Sequence, residues 1–219
     1  MQQETMHALI AKTHRMDLME SLGPMQAVGE IDIKSMNATG ELHTSYAWPN
    51  QFRMDVTMSG QSETSVFDGE FAYYASTATP AEKLEGIRGT ELRLDNHFAR
   101  FGDWHQWHAK LEVIQKLERG GKEIYLIRAG DSSATASTFF VDANTGRVIG
   151  EDKVSLIPGM GQMGMRMRFE DFRDVSGMLL PYKTQIKFAN PMIGTVWTTI
   201  SEMELGVELP EDAFRLTPN

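Results

Sequence analysis

The chain of 219 residues has no cysteine, which excludes disulfides, thiolate metal ligands and thiol nucleophiles and leaves its redox compartment unmarked. No apolar run approaches the roughly 18 residues of a membrane-spanning helix. Basic residues are scarce, 21 against 30 acidic ones, and the resulting net charge of −9 repels phosphate backbones, so nucleic acid is not an expected partner. The opening Met1-Gln2-Gln3-Glu4-Thr5 has neither the basic nor the apolar part of a signal peptide. No fixed-period repeat, low-complexity tract or linker divides the sequence, and 1–219 reads as one domain.

What is present is ordinary globular material, 41% hydrophobic and 23% charged, enough to bury a core without a metal or disulfide staple. From Thr5 to Leu22, Met6, Leu9, Ile10, Met16 and Met19 recur at three- and four-residue spacing, predicting an amphipathic helix that Gly23-Pro24 ends. Met25 to Val28 reads as a short further turn. The period then changes to two. Phe52, Met54, Val56 and Met58 alternate with polar neighbours, as do Met165, Met167 and Phe169, and Tyr182, Thr184, Ile186 and Phe188, the pattern of strands with one covered face. Turn signals at Asp68-Gly69, Gly120-Gly121, Asn144-Thr145-Gly146 and Ser176-Gly177 separate further strands. The expectation is α+β: a curved antiparallel sheet of about ten strands, open as an incomplete half-barrel, covered by the N-terminal helix and a central helical segment between Ala81 and Trp107. In that segment Leu94, Phe98 and Phe101 fall on one helical face.

Catalytic patterns are sparse. His97, His105 and His108 cluster, and Trp104-His105-Gln106-Trp107-His108 has H-x-x-H spacing, but no third ligand stands at a zinc-site spacing; no metal and no cofactor are expected. The 15 methionines crowd at Met160, Met163, Met165 and Met167, where copper(I) is one reading and an adaptable apolar surface the other. Gly130-Asp131-Ser132-Ser133 lacks the glycine that a serine-protease signature places after its nucleophile and reads as a turn. The glycines of Gly159-Met160-Gly161-Gln162-Met163-Gly164 have neither the lysine nor the following helix of a phosphate loop. The chain is expected not to be an enzyme.

Several short motifs resemble the LolA/LolB lipoprotein-carrier superfamily. Pro49-Asn50-Gln51-Phe52 before an alternating strand, Asp68-Gly69-Glu70-Phe71-Ala72-Tyr73-Tyr74, Val141-Asp142-Ala143-Asn144-Thr145-Gly146 and Phe214-Arg215-Leu216-Thr217-Pro218 occur in that family's order, over roughly Ser35 to Pro218. The resemblance implies a half-barrel with helices over an apolar cavity, a periplasmic or otherwise exported protein, and a lipid or acylated protein as partner. The soluble carrier has an arginine directly before P-N, where this chain has Trp48, so its lid tether does not carry over. The Asp171-Phe172-Arg173-Asp174 to Gly177-Met178-Leu179-Leu180-Pro181 run is similar to relatives that are domains of larger exported proteins, often beside hydrolase domains. Two functions stay open: a binding module holding an acyl chain on its concave face, and an accessory domain serving a neighbouring domain or partner with no ligand of its own. For the first, Phe52, Met54, Phe71, Tyr73, Phe98, Phe101, Met165 and Met167 are the candidate cavity residues.

Overall fold

The computed structural model describes residues 3–130, 135–157 and 160–216. In chain order the elements are α1 (Gln3–His14), α2 (Met19–Leu22), β1 (Met25–Ile33), β2 (Ala38–Ala47), β3 (Gln51–Met58), β4 (Gln61–Phe67), β5 (Ala72–Ser76), β6 (Glu82–Leu84), α3 (Gly86–Leu94), α4 (His97–Phe101), α5 (Trp104–Trp107), β7 (Leu111–Arg119), β8 (Lys122–Ala129), β9 (Ser137–Asp142), β10 (Val148–Ile157), β11 (Gly161–Val175), β12 (Met178–Phe188) and β13 (Thr195–Leu205). The class is α+β. The strands are antiparallel and do not close into a barrel, and there are thirteen among the described residues where about ten were expected. Two compact units emerge: Met1–Asp17 with His97–Pro191, and Leu18–Asn96 with Met192–Asn219.

In the first unit β7 to β12 pair in sequence order. Gly120-Gly121 and Ser176-Gly177, all at positive φ, make the tight two-residue turns that match strand twist. Met6, Ile10 and His14 are buried at four-residue spacing and seat α1 on this sheet. The Asn144-Thr145-Gly146 turn is tied by Asp142, whose carboxylate accepts from the Asn144 and Thr145 amides. Gly146, at φ 73°, is obligatory there, since a Cβ would lie 2.6 Å from the Leu9 side chain.

The helix predicted over Thr5 to Leu22 is shorter than expected. Arg15 takes φ 52°, which ends α1 at His14; a 3-10 turn at Met16–Leu18 and the single turn of α2 follow. Met25 to Val28, read as a further turn, instead opens β1, because its register with β2 and β13 supplies ladder partners that a turn would forgo.

In the second unit the order is β6-β5-β4-β3-β2-β1-β13, with Ser59-Gly60 turning β3 into β4. Met25, Tyr46, Phe52, Phe67 and Ala72 pair across five strands and form a buried band on one face. Leu94 does not extend the face of Phe98 and Phe101. Asp95 and Asn96 break the helix, the Asn96 amide capping the Arg93 carbonyl at 2.6 Å, and Leu94 belongs to α3 in this unit.

Candidate functional site

The helical cover in the first unit is α4 and α5. Phe101 packs edge-on against Phe169 of β11 at 5.2 Å, and Trp104 lies 4.5 Å from Phe139 of β9. Phe98 and Phe101 are each 1% exposed, so they form core under the cover. Arg100, between them, turns its guanidinium to the sheet. It donates to Glu151 at 2.9 Å and reaches the Met167 sulfur at 3.6 Å, while the Ser137 hydroxyl donates to the other Glu151 oxygen at 2.6 Å. Burial by itself would push the Glu151 carboxyl up. Arg100, Lys153 and Ser137 outweigh it and hold the group below the usual carboxylate range.

His14 closes the far end of α1. Its Nδ1–H donates to the Leu179 carbonyl at 2.7 Å, and its Nε2 accepts from the Val148 amide at 3.1 Å, a pairing that only the neutral ring can make. The rings of His14 and His97 both lie against that of Phe101, with centroids 4.9 and 5.4 Å from it. Burial lowers both to about 4, helped by Arg147 at His14 and by the charge of His14 at His97. Of the two histidines that cluster with His97 in the sequence, His105 is exposed and His108 is buried with Nε2 3.2 Å from the Ala99 carbonyl.

Beyond α4 and α5, the same face of β11 and β12 continues as Met165, Ile186 and Phe188, all half-buried, whereas Met163 and Met167 are buried. Met165 opposes Phe188 across the ladder and Lys153 on its other side.

The second unit repeats this division of a covered and an uncovered stretch. Past its buried band the Phe52 face runs on through Ile31, Met54, Val56 and Met58, half-buried, interleaved with the small residues Ala27, Gly29, Gly40 and Thr44. Helix α3 sits on this face, Arg88 pairing with Glu82 at 2.9 Å. Phe52 and Met54 therefore share a face, as predicted. Tyr73 does not join them. It pairs with Val66, which pairs with Arg53, and so stands on the opposite face; Phe71 is 37% exposed with the Lys83 ammonium 3.1 Å from its ring centroid. That opposite face has its own cover, since Arg53 donates to the Ala213 carbonyl at 3.1 Å and Val66 is fully buried.

Three of the four motifs meet at one place. Asn50 and Gln51 donate to the carbonyls of Gly69 and Asp68 at 3.0 and 2.9 Å, Asp68 ties its own loop through the Glu70 and Phe71 amides, and Phe214 closes the same cleft of about 540 Å³. These motifs build the corner that joins strand, turn and C-terminal segment. Sequence reasoning missed Arg100, Glu151 and His14; the signal for His14 was its four-residue spacing from Met6 and Ile10. The residues Asp131 to Ser133, Pro158, Gly159 and Thr217 to Pro218 of the remaining sequence features lie outside the described residues.

No protein-family model matches the chain, and no curated protein matches it by sequence. Solved structures do. A LolA superfamily protein from Nitrosomonas europaea aligns over 97% of this chain and 96% of its own, with TM-score 0.66 at 12% identity. A DUF1329 family protein from Desulfovibrio piger covers the same shares, 97% and 96%, with TM-score 0.62 at 11% identity. A putative outer membrane lipoprotein-sorting protein domain from Vibrio parahaemolyticus aligns over 88% of this chain and 89% of its own, with TM-score 0.58 at 8% identity. The strand order, the short helices on the sheet and these alignments together make the fold LolA-like.

Proposed function

We propose that this protein is a non-enzymatic binding module of the lipoprotein-carrier type, exported to the periplasm or beyond, that holds an acyl chain or another apolar ligand on a sheet face. The supporting observation is the half-exposed, methionine-bearing apolar stretch that continues past the helical cover: Met165, Ile186 and Phe188 in one unit, Ile31, Met54, Val56 and Met58 in the other. Methionine adapts to ligand shape, and each buried methylene contributes about 0.8 kcal/mol, so a chain of roughly a dozen carbons offsets association costs. On this reading Met165 and Met167 contribute the wall of the first unit's face and Phe52 and Met54 that of the second unit's face, each taken by itself, Phe98 and Phe101 anchor the cover of the first, and Phe71 and Tyr73 lie off both faces. The likeness to a protein described as lipoprotein-sorting supports an acylated protein or a lipid as partner. No helix among the described residues is long and apolar enough to cross a membrane.

The test is a titration with a fluorescent fatty acid. Saturable binding by the unmodified protein is the expected result, weakened at least tenfold by Met165→Asp where the first unit's face holds the ligand or by Met54→Asp where the second unit's face does, with the thermal transition retained. A folded protein that takes up no fatty acid, and carries no lipid when purified from its host, overturns the proposal in favour of an accessory domain acting on a neighbour.

A further inference from the structure

In the second unit the cleft of about 540 Å³ at the corner of strand, turn and C-terminal segment falls in the range of about 300–1,000 Å³ usual for binding clefts. Ala47 and Gln51, which line it, pair with each other one step along from Tyr46 and Phe52. Alternation therefore puts the cleft on the sheet face opposite Phe52 and Met54, away from that unit's apolar stretch. Its apolar lining is Pro24, Ala47, Leu209, Pro210 and the buried Phe214, and the two prolines bring ring surface with no amide donor. Around this floor stand Asp68, Glu70 and Glu211 against one guanidinium, Arg215. Asp68 is committed to its own loop, where its carboxylate accepts from the Glu70 and Phe71 amides. Glu70, Glu211 and Arg215 are exposed, and none of the three enters an ion pair with a described residue. No group of histidines and carboxylates among the described residues is placed to hold a metal ion, and a small hydrated cation has no use for the apolar floor.

We infer that this cleft docks an extended basic segment of a partner protein, whose lysine or arginine lays its methylene stem along Phe214 and Leu209 and brings its charged head to Glu70 and Glu211. Charge complementarity decides the occupant. A long basic side chain is apolar along its stem and cationic at its tip, and an apolar floor beneath unpaired carboxylates matches both parts at once. The prolines offer no donor to an anionic segment. The unit around the cleft, with six lysines and arginines against seventeen carboxylates, repels such a segment and draws a basic one in. Arg215 supplies donors for the carbonyls of the docked backbone. The cleft acts independently of acyl binding, since it lies on the other face.

The experiment is fluorescence anisotropy with three fluorescein-labelled hexapeptides that share Pro-Leu at their centre and carry two lysines, two glutamines or two glutamates beside it. The unmodified protein binds the lysine peptide about tenfold or more tightly than the glutamine one, and the advantage shrinks as salt is raised. Glu70→Gln with Glu211→Gln removes that advantage, and Glu70→Lys with Glu211→Lys transfers it to the glutamate peptide. The thermal transition stays in place because both side chains are exposed. Equal affinity for the lysine and glutamine peptides, or binding of neither, overturns the proposal. A lysine preference that survives in both double variants puts the basic site elsewhere and overturns this cleft as its seat. If spermidine displaces the lysine peptide as well as unlabelled peptide does, the protein reads charge alone and the docked segment is overturned.

Discussion

His14 is a single residue on which three elements depend, because its ring links the end of α1 to Leu179 of β12 and Val148 of β10. Its proton affinity sets a pH dependence. The unfolded chain binds a proton near 6.5, and the folded one declines it until about 4. Stability is therefore full above 6.5 and falls as the pH drops toward 4, by up to roughly 3 kcal/mol for this histidine alone. His97, lowered to the same value, adds in the same direction. We expect the unfolding temperature to fall steadily from pH 7 to pH 4.5, and His14→Gln, which can still donate and accept but does not titrate, to flatten that slope. A slope unchanged in the variant would remove His14 as its source. At this scale the sequence was partly legible. Alternation placed Phe52 and Met54 together, but in Phe71-Ala72-Tyr73-Tyr74 two adjacent tyrosines compete for one face. The length of the Asp68 loop, which sequence does not reveal, decides for Tyr74.

Helix α4 is held to its sheet by apolar packing and by one buried ion pair, and the two respond differently to substitution. Arg100→Ala strands the Glu151 carboxylate in the core and should cost about 3–5 kcal/mol; replacing the pair together, Arg100→Met with Glu151→Leu, should recover most of that loss. Chemical denaturation of the three proteins measures both, and a double variant as weak as the single one would show that the charges do more than pair. Gly146→Ala should destabilise by more than about 1 kcal/mol, through its positive φ and the collision with Leu9, and should loosen α1 before the sheet in hydrogen exchange. Elements were the most legible level. Gly120-Gly121 and Ser176-Gly177 announced two of the hairpins, and period-two runs announced β3, β11 and β12. Helix ends were not legible, since Arg15 adopts a left-handed backbone that nothing in its residue type requires, and Asp95-Asn96 divides what looked like one apolar face between two helices.

Charge is divided unevenly over the molecule. The unit of Met1–Asp17 and His97–Pro191 has fifteen lysines and arginines against thirteen carboxylates, while the other has six against seventeen. Within the acidic unit Glu30 and Glu41 even face each other across a strand pair. Added salt should therefore raise amide protection in Leu18–Asn96 and Met192–Asn219 and leave the other unit nearly unchanged, which hydrogen exchange with mass readout resolves by segment. A uniform response would show that self-repulsion is not concentrated there. The pairing of Met25 with Leu205 has a consequence for how the chain comes into being. β1 is among the first strands to leave the ribosome, yet its partner β13 is the last. The unit whose first half is made early must wait, one edge open, while the whole of β7 to β12 is synthesised and can fold ahead of it. Order of synthesis and order of completion are thus inverted, and the interval leaves the β1 edge available to a chaperone or to a wrong strand.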